Sequence, residues 1–276
     1  MDLSPSHVAF ALRWRARAVL ERGRRVISRR RYRCVICGGR DGYLPIGVAH
    51  LAILEEYGHP YSADDYETMS WQTYTCPTCQ SSDRDRLYAL YVKRYLAGRH
   101  GEPARVLDIA PGAALGPFIR NQPGVEYRSA DLYAEGVDDV VDVHDMAIYG
   151  DGTYDFFVCS HVLEHVADDL KVMREFRRIL APDGRGILMV PVLDIPGVMD
   201  EDPSVTDEAE RWRRFGQFDH VRTYEKSVYL ERLDSVGFAV QQLTWRELGR
   251  RAFAQNGIHR RSVLYVVSHG ASSPDA

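Results

Sequence analysis

From Ala104 onward, apolar residues fall in short continuous runs separated by longer stretches of helical period. RVLDIA (105–110), EYRSADLY (126–133), VVDVHD (140–145) and YDFFVCS (154–160) read as strands; the first and last are mainly apolar, as in parallel strands covered on both faces. Residues 162–180 predict a helix, which leads through Ala181-Pro182-Asp183-Gly184 into a fifth strand, GILMVPV (186–192). Such alternation predicts a doubly wound α/β sheet whose ligand lies at the carboxyl ends of its strands. Upstream, Leu87, Leu90, Tyr91 and Tyr95 share one face of a connecting helix over 84–103. Residues 194–223 are too long for a simple connection and rich in Arg, Trp and Phe, which predicts a lid over a substrate.

At 276 residues the chain has room for one α/β core and a smaller unit. No apolar run approaches the ~20 residues of a membrane helix, and arginines stand where a secretory signal needs an apolar core, so the expected location is the cytoplasm. Ten arginines against two acids give residues 1–33 a charge of +8, which leaves −12 on the remainder. This basic N-terminal helix either contacts phosphates or is a solvated amphipathic helix with Leu12, Ala16, Val19 and Ile27 turned inward. Lys occurs only at 93, 171 and 226, so Arg is the chain's preferred cation throughout.

Four of the five cysteines form two pairs, Cys34-Val-Ile-Cys37 and Cys76-Pro-Thr-Cys79. Each C-x-x-C turn can aim both sulfurs at one ion, and two such knuckles complete the closed thiolate shell of a structural Zn²⁺ site; iron is the alternative. Residues 34–83 are therefore expected to be a small zinc ribbon, with turns and short strands between the knuckles. Cys159 ends a buried strand and reads as an apolar filler.

The turn from Asp108 to Ala114 resembles the D-x-G-x-G-x-G turn of class I methyltransferases, with Ala110 and Ala114 in place of two glycines and Gly112 kept. A Gly-rich turn and a later acid also suit a dinucleotide, but residues 142–192 resemble the central and C-terminal motifs of that methyltransferase family. The resemblance implies a Rossmann-like class I methyltransferase sheet over 104–268, followed by a tail, 269–276. It implies S-adenosylmethionine as cofactor, with Asp131 and Leu132 by the ribose, Asp142 and Val143 by the adenine, and Ser160 with His161 by the methyl donor. CPTCQSSDRDRLYALYV, VLDIAPG and FGQFDHVRTYEKSVYLERLDSVGF further resemble a bacterial group of zinc-ribbon methyltransferases, a match specific for family and silent on substrate.

SHVLEHV (160–166) sets His161, Glu164 and His165 at i, i+3 and i+4, on one face of the expected helix start. It resembles the E-x-x-E-H metal box of small-RNA and polyprenyl-quinone O-methyltransferases, with His161 for the first Glu and His220 as the later His. A second divalent ion held by these four residues would lower the pKa of an acceptor hydroxyl. The alternatives are a metal-free base, His161 or His220, and an ordinary packed helix start. Gln217, Asp219 and Arg222 in the lid are the acceptor-binding candidates. The expected function is O-methylation of a sugar or other small hydroxylated metabolite. An RNA methyltransferase using the ribbon and the basic N-terminus, and a non-catalytic cofactor-binding module, are the alternatives.

Overall fold

The apolar runs pair as expected in a computed structural model that describes residues 32–270. The basic segment expected at the N-terminus lies outside the described residues except for Tyr32 and Arg33, as does the tail beyond Gly270. The main sheet contains β1 (Ala104–Ile109), β2 (Val125–Asp131), β3 (Asp139–Val140), β4 (Tyr154–Ser160) and β5 (Leu180–Met189), with β9 (Phe238–Leu243) and β10 (Leu264–His269). Its order is β3-β2-β1-β4-β5-β10-β9; the first five strands run parallel and β10 is antiparallel to both neighbours. The order reverses between β1 and β4, so the crevice at their carboxyl ends is the natural ligand position.

The helices that cover this sheet do so through period-specific apolar faces. On α4 (Asp169–Ile179), Val172, Met173, Phe176 and Ile179 are fully buried, and Phe176 stacks on Phe157 of β4 with ring centroids 4.7 Å apart. Each such side chain contributes about 1.5–3 kcal/mol by leaving water. The connecting helix is α2 (Asp83–Ala97), started by a capping box between Ser82 and Asp85 and buried along Leu87, Tyr88, Tyr91 and Val92. Among the described residues no helix is long and apolar enough to cross a membrane.

Three local expectations are corrected. The helix expected over 162–180 begins only at Asp169, with Asp168 as its N-cap accepting from Lys171 N at 2.9 Å. Residues 161–167 form a turn, because carbonyls that a helix would use go elsewhere: Arg222 donates to those of Leu163, Val166 and Ala167, and Val221 N donates to that of Glu164. The third strand shrinks to two residues, since Asp142 turns back to accept from His144 N at 2.9 Å. The segment between the knuckles is not a set of short strands. It holds a nine-residue helix, α1 (Val48–Glu56), and isolated bridges, of which Leu44 to Thr75 closes on the second knuckle and Tyr66 to Leu193 reaches the sheet domain. Ala, Leu and Glu between Gly47 and Gly58 favour that helix.

The two knuckles are built alike. Cys34 N bonds to Gly39 O and Gly38 N to Cys34 O, and the second knuckle repeats this from Cys76 to Ser81 and from Gln80 to Cys76. The equivalent residues Gly38 and Gln80 take φ of 74° and 61°, natural for glycine and strained for glutamine. Arg86 fastens the unit to the sheet domain: fully buried, it donates to the carbonyls of Thr73, Tyr74, Ser81 and Asn256 and lies 3.9 Å from the ring centre of Tyr43.

The lid segment holds α5 (Glu208–Phe215) and, with the residues that flank it, forms a second small sheet, β6 (Val192–Leu193), β8 (Arg222–Glu225) and β7 (Asp200–Glu201) in that order. It packs on the segment between the knuckles, where Trp212 stacks on Tyr57 at 5.9 Å and His59 Nδ1 lies 3.3 Å from Arg213 O.

Candidate functional site

At the end of β1, Asp108 is buried and accepts from Tyr127 Oη at 2.8 Å. Burial pushes its carboxyl up to about 7, against the pull of that hydrogen bond. Ala110 takes the left-handed φ of 51°, a conformation glycine adopts at no cost, so the turn keeps its glycine-like shape with an alanine in it. Gly116, opening α3 (Leu115–Arg120), is where a side chain would not fit: a Cβ there would meet Tyr127 Oη at 2.8 Å. At the end of β2, Asp131 Oδ1 accepts from the backbone of Tyr133 and Ala134 at 2.7 and 2.8 Å. Among the described residues nothing donates to Oδ2, and Leu132 beside it is exposed. Asp142 is exposed and held below the usual carboxylate range by its bonds to the backbone and ring of His144; Val143 beside it is half-buried.

A chamber of about 140 Å³ lies between this strand edge and the start of α2, with Asp85, Tyr88, Asp108, Gly112 and Ser160 in its wall. Ser160 Oγ meets Tyr88 Oη at 2.8 Å. Next to it, a cavity of about 480 Å³ is roofed by Ile46, Leu51, Leu54 and Met69 from the segment between the knuckles. His161, Glu164, His165, Gln217 and His220 line the opposite side. Arg84 and His161 border both spaces and form the wall between them.

That wall is held firmly. His161 has a left-handed φ of 59°, and its backbone N–H is tied to Met189 O at 2.8 Å. Its Nε2 meets Arg84 Nη1, which can only donate, so Nε2 carries the lone pair and Nδ1 the proton. Burial, with the Arg84 charge beside it, holds the ring below its usual pKa.

Glu164 is fully buried, and neither carboxylate oxygen has a hydrogen-bond donor. His161 Nδ1 lies 2.8 Å from Oε1 at ion-pair distance but not in hydrogen-bond alignment. Burial pulls the Glu164 carboxyl up and the three imidazoles, His161 foremost, pull it down; the downward direction prevails. Burial lowers His220 to about 4, which keeps it neutral. Glu164, His165 and His220 each place one ligand atom within 4.8 Å of the others. His220 Nδ1 is 3.1 Å from Phe215 O, an acceptor, which fixes the proton on Nδ1 and leaves Nε2 with a lone pair. His165 Nδ1 lies 3.3 Å from Asp219 Oδ2. The turn therefore brings together three of the four residues singled out in sequence as a metal set, and Arg84 occupies the fourth.

The lid candidates divide. Gln217 lines the cavity and donates to Asp219 Oδ1 at 3.0 Å. Asp219 stands behind His165. Arg222 is no acceptor residue: its fully buried guanidinium is taken up by three carbonyls of the 161–167 turn and by Glu201 at 2.7 Å. Sequence reasoning missed Tyr74, Arg84, Asp85 and Tyr88. The capping box in SSDRD was visible, but not the crevice it faces.

The four cysteines of the knuckles also converge, with Sγ atoms within 4.8 Å of one another and the Cys34–Cys79 and Cys37–Cys76 pairs at 3.8 Å. A tetrahedron with metal–sulfur bonds of about 2.3 Å has edges of about 3.8 Å. Cys159 is buried in the core, as a filler should be.

A family model described as a methyltransferase domain matches residues 81–243. The uncharacterized methyltransferase YcgJ of Bacillus subtilis (strain 168) is 26% identical over 159 residues, 52% of this chain and 58% of that protein. An uncharacterized 37.1 kDa protein in transposon TN4556 of Streptomyces fradiae is 31% identical over 130 residues, 41% of this chain and 37% of that one. The chain thus spans about half the length of the curated relatives it matches. Among solved structures, the Burkholderia thailandensis 1,6-didemethyltoxoflavin-N1-methyltransferase with bound 1,6-didemethyltoxoflavin and S-adenosylhomocysteine aligns at a TM-score of 0.46 and 17% identity, over 68% of this chain and 78% of that chain. The crystal structure of YcgJ aligns at 0.40 and 19%, over 66% and 96%.

Proposed function

The chain belongs to the methyltransferase domain family, and from that premise we propose that it moves the methyl group of S-adenosylmethionine onto a hydroxyl of a small metabolite, a sugar or another hydroxylated molecule, held in the 480 Å³ cavity. The observation that carries this reading is that Arg84 and His161 line both the strand-end chamber and a second, adjacent cavity floored by Glu164, His165 and His220. A module that only bound the cofactor would need no second cavity.

The residues present fit the cofactor: Asp131 keeps one carboxylate oxygen without a donor at the end of β2, and Ala110 reproduces the glycine-like turn. When bound, S-adenosylmethionine supplies a methyl group made electrophilic by a sulfonium. Asp131 would accept from the ribose hydroxyls with Leu132 beside it, Asp142 and Val143 would border the adenine, and Asp108, Gly112 and Ser160 would bound the methionine portion. The segment between the knuckles covers the cavity with apolar side chains, which excludes water from the transfer and limits the acceptor to a small molecule. Gln217 and Asp219 would orient it.

Glu164, His165 and His220 also fit a divalent ion, because the carboxylate is buried without a donor and His220 turns a lone pair away from its backbone partner. An ion there supplies the Lewis acidity that favours ionisation of an acceptor hydroxyl. His161 serves beside this set as the group that spaces it from Arg84. The cysteine tetrad would hold a structural Zn²⁺, since its sulfur spacing matches a closed tetrahedral site and leaves no position for chemistry.

The test is calorimetry with S-adenosylhomocysteine. Asp131→Ala is expected to weaken binding at least about tenfold, the scale of one lost charge-assisted hydrogen bond, with the melting temperature of the ligand-free protein unchanged. Unchanged affinity would move the ribose elsewhere, and no binding by the unaltered protein would overturn the methyltransferase reading.

A further inference from the structure

Arg84 forms no ion pair among the described residues. Its guanidinium is half-buried at the start of α2 and makes two hydrogen bonds among the described residues, from Nη1 to His161 Nε2 and from Nη2 to Tyr74 Oη at 3.0 Å. Its partners are an imidazole nitrogen and a phenol hydroxyl, and no carboxylate pairs with it among the described residues. The acids on either side of it in sequence reach it only through space: Asp83 Oδ2 accepts from Ser70 N at 2.6 Å while its Oδ1 is buried without a donor, Asp85 Oδ2 accepts from Ser82 N at 2.8 Å in the helix cap, and both carboxylates favour the Arg84 charge without pairing with it. A guanidinium has five N–H donors, so most of its fork remains open beside the cavity. A carboxylate bound in the cavity could take up the remaining donors in charge-assisted hydrogen bonds.

The position of the fork says which molecule. Tyr74 borders the larger cavity and not the strand-end chamber, and His161 borders both. The Tyr74 bond therefore draws the guanidinium toward the acceptor side, while the His161 bond keeps it on the boundary of the two spaces. Among the described residues the cavity holds no other arginine or lysine in its wall, and its roof is apolar. We infer that Arg84 is a carboxylate-binding residue of the acceptor cavity, so that the acceptor is a small hydroxylated acid with an apolar body rather than a neutral polyol. The inference rests on the cavity being the acceptor site. It deepens that reading by naming the group at one end of the acceptor, with the Glu164, His165 and His220 cluster at the other. The same chemistry could also come from the methionine carboxylate of the cofactor, and the experiment separates the two.

The probes are benzoate and 4-hydroxybenzoate against benzamide and 4-hydroxybenzamide, read by calorimetry or ligand-observed NMR with and without S-adenosylhomocysteine. The expected result is a preference for each acid over its amide of at least about tenfold, because the fork can grip a carboxylate with two charge-assisted hydrogen bonds. Arg84→Gln should abolish the preference and Arg84→Lys should keep part of it, which separates loss of charge from loss of shape. Equal binding of acid and amide, binding of neither, or a preference that survives Arg84→Gln overturns the inference. So does a weakening of S-adenosylhomocysteine but not of 5′-methylthioadenosine in Arg84→Gln, since the guanidinium would then belong to the cofactor's carboxylate. Failure of cofactor binding in the unaltered protein would strike the methyltransferase reading alone, because the comparison of acids with amides is also made without it.

Discussion

Protein purified without added metal is expected to carry one zinc ion per chain, and Cys76→Ser to lose it together with the fold of the segment around the knuckles. The four sulfurs already stand at tetrahedral spacing, and the two knuckles are built on the same backbone pattern. Structural zinc contributes roughly 10–16 kcal/mol in isolated small zinc domains. Here part of that is replaced by docking on the sheet domain, since Arg86, Asn256 and Tyr43 tie the knuckles to the turn after α8 (Arg250–Gln255). The substituted protein should therefore keep its sheet while its first unit melts, giving two thermal transitions where the loaded protein gives one. Because Ile46, Leu51, Leu54 and Met69 lie between the knuckles, losing the ion also unroofs the acceptor cavity. Elemental analysis and calorimetry check this. A folded, reduced protein with no metal rules it out.

The sheet was legible because its information is local. YDFFVCS is apolar on both faces and becomes β4 over the same residues, and RVLDIA differs from β1 by one residue at each end. The acid ending β2 was legible for the same reason. The 161–167 turn was not: Val162, Leu163 and Val166 have a helical period, and what denies them a helix is a guanidinium about sixty residues downstream. Arg222 was misplaced by the same blindness, for its sequence neighbours suggested a lid while its fork is buried under the turn. The roof was missed because Gly and Pro between the knuckles signal turns and masked the nine residues of α1. Arg84 belongs to the site only through a contact with His161 across the chain, and nothing in SSDRD announces that.

That long-range assembly is what makes His220 the most exacting test of the site. The residue arrives from the lid, lies 4.6 Å ring to ring from His165, and shares the buried carboxylate of Glu164. With Nδ1 held by Phe215 O, its Nε2 can bind an ion or take a proton, and either role puts it on the acceptor side. His220→Ala is expected to lower turnover by roughly 10² or more, the usual scale for a positioned acid–base group or its equivalent. S-adenosylhomocysteine affinity should hardly change, since His220 does not border the strand-end chamber. A chelator then separates the two roles. If Glu164, His165 and His220 hold an ion, activity falls on chelation and returns with added divalent metal, and His220→Ala binds that metal more weakly than the unaltered protein does. If His220 is a metal-free base, activity is indifferent to the chelator and its pH profile follows a single group. Chelation can also strip the cysteine tetrad, so zinc content and thermal stability are measured on the same sample; activity lost while zinc stays in place points to the second site. Full activity in His220→Ala would remove both roles at once and leave the unpartnered Glu164 carboxylate as a structural anion, held by its neighbouring imidazoles and idle in the reaction.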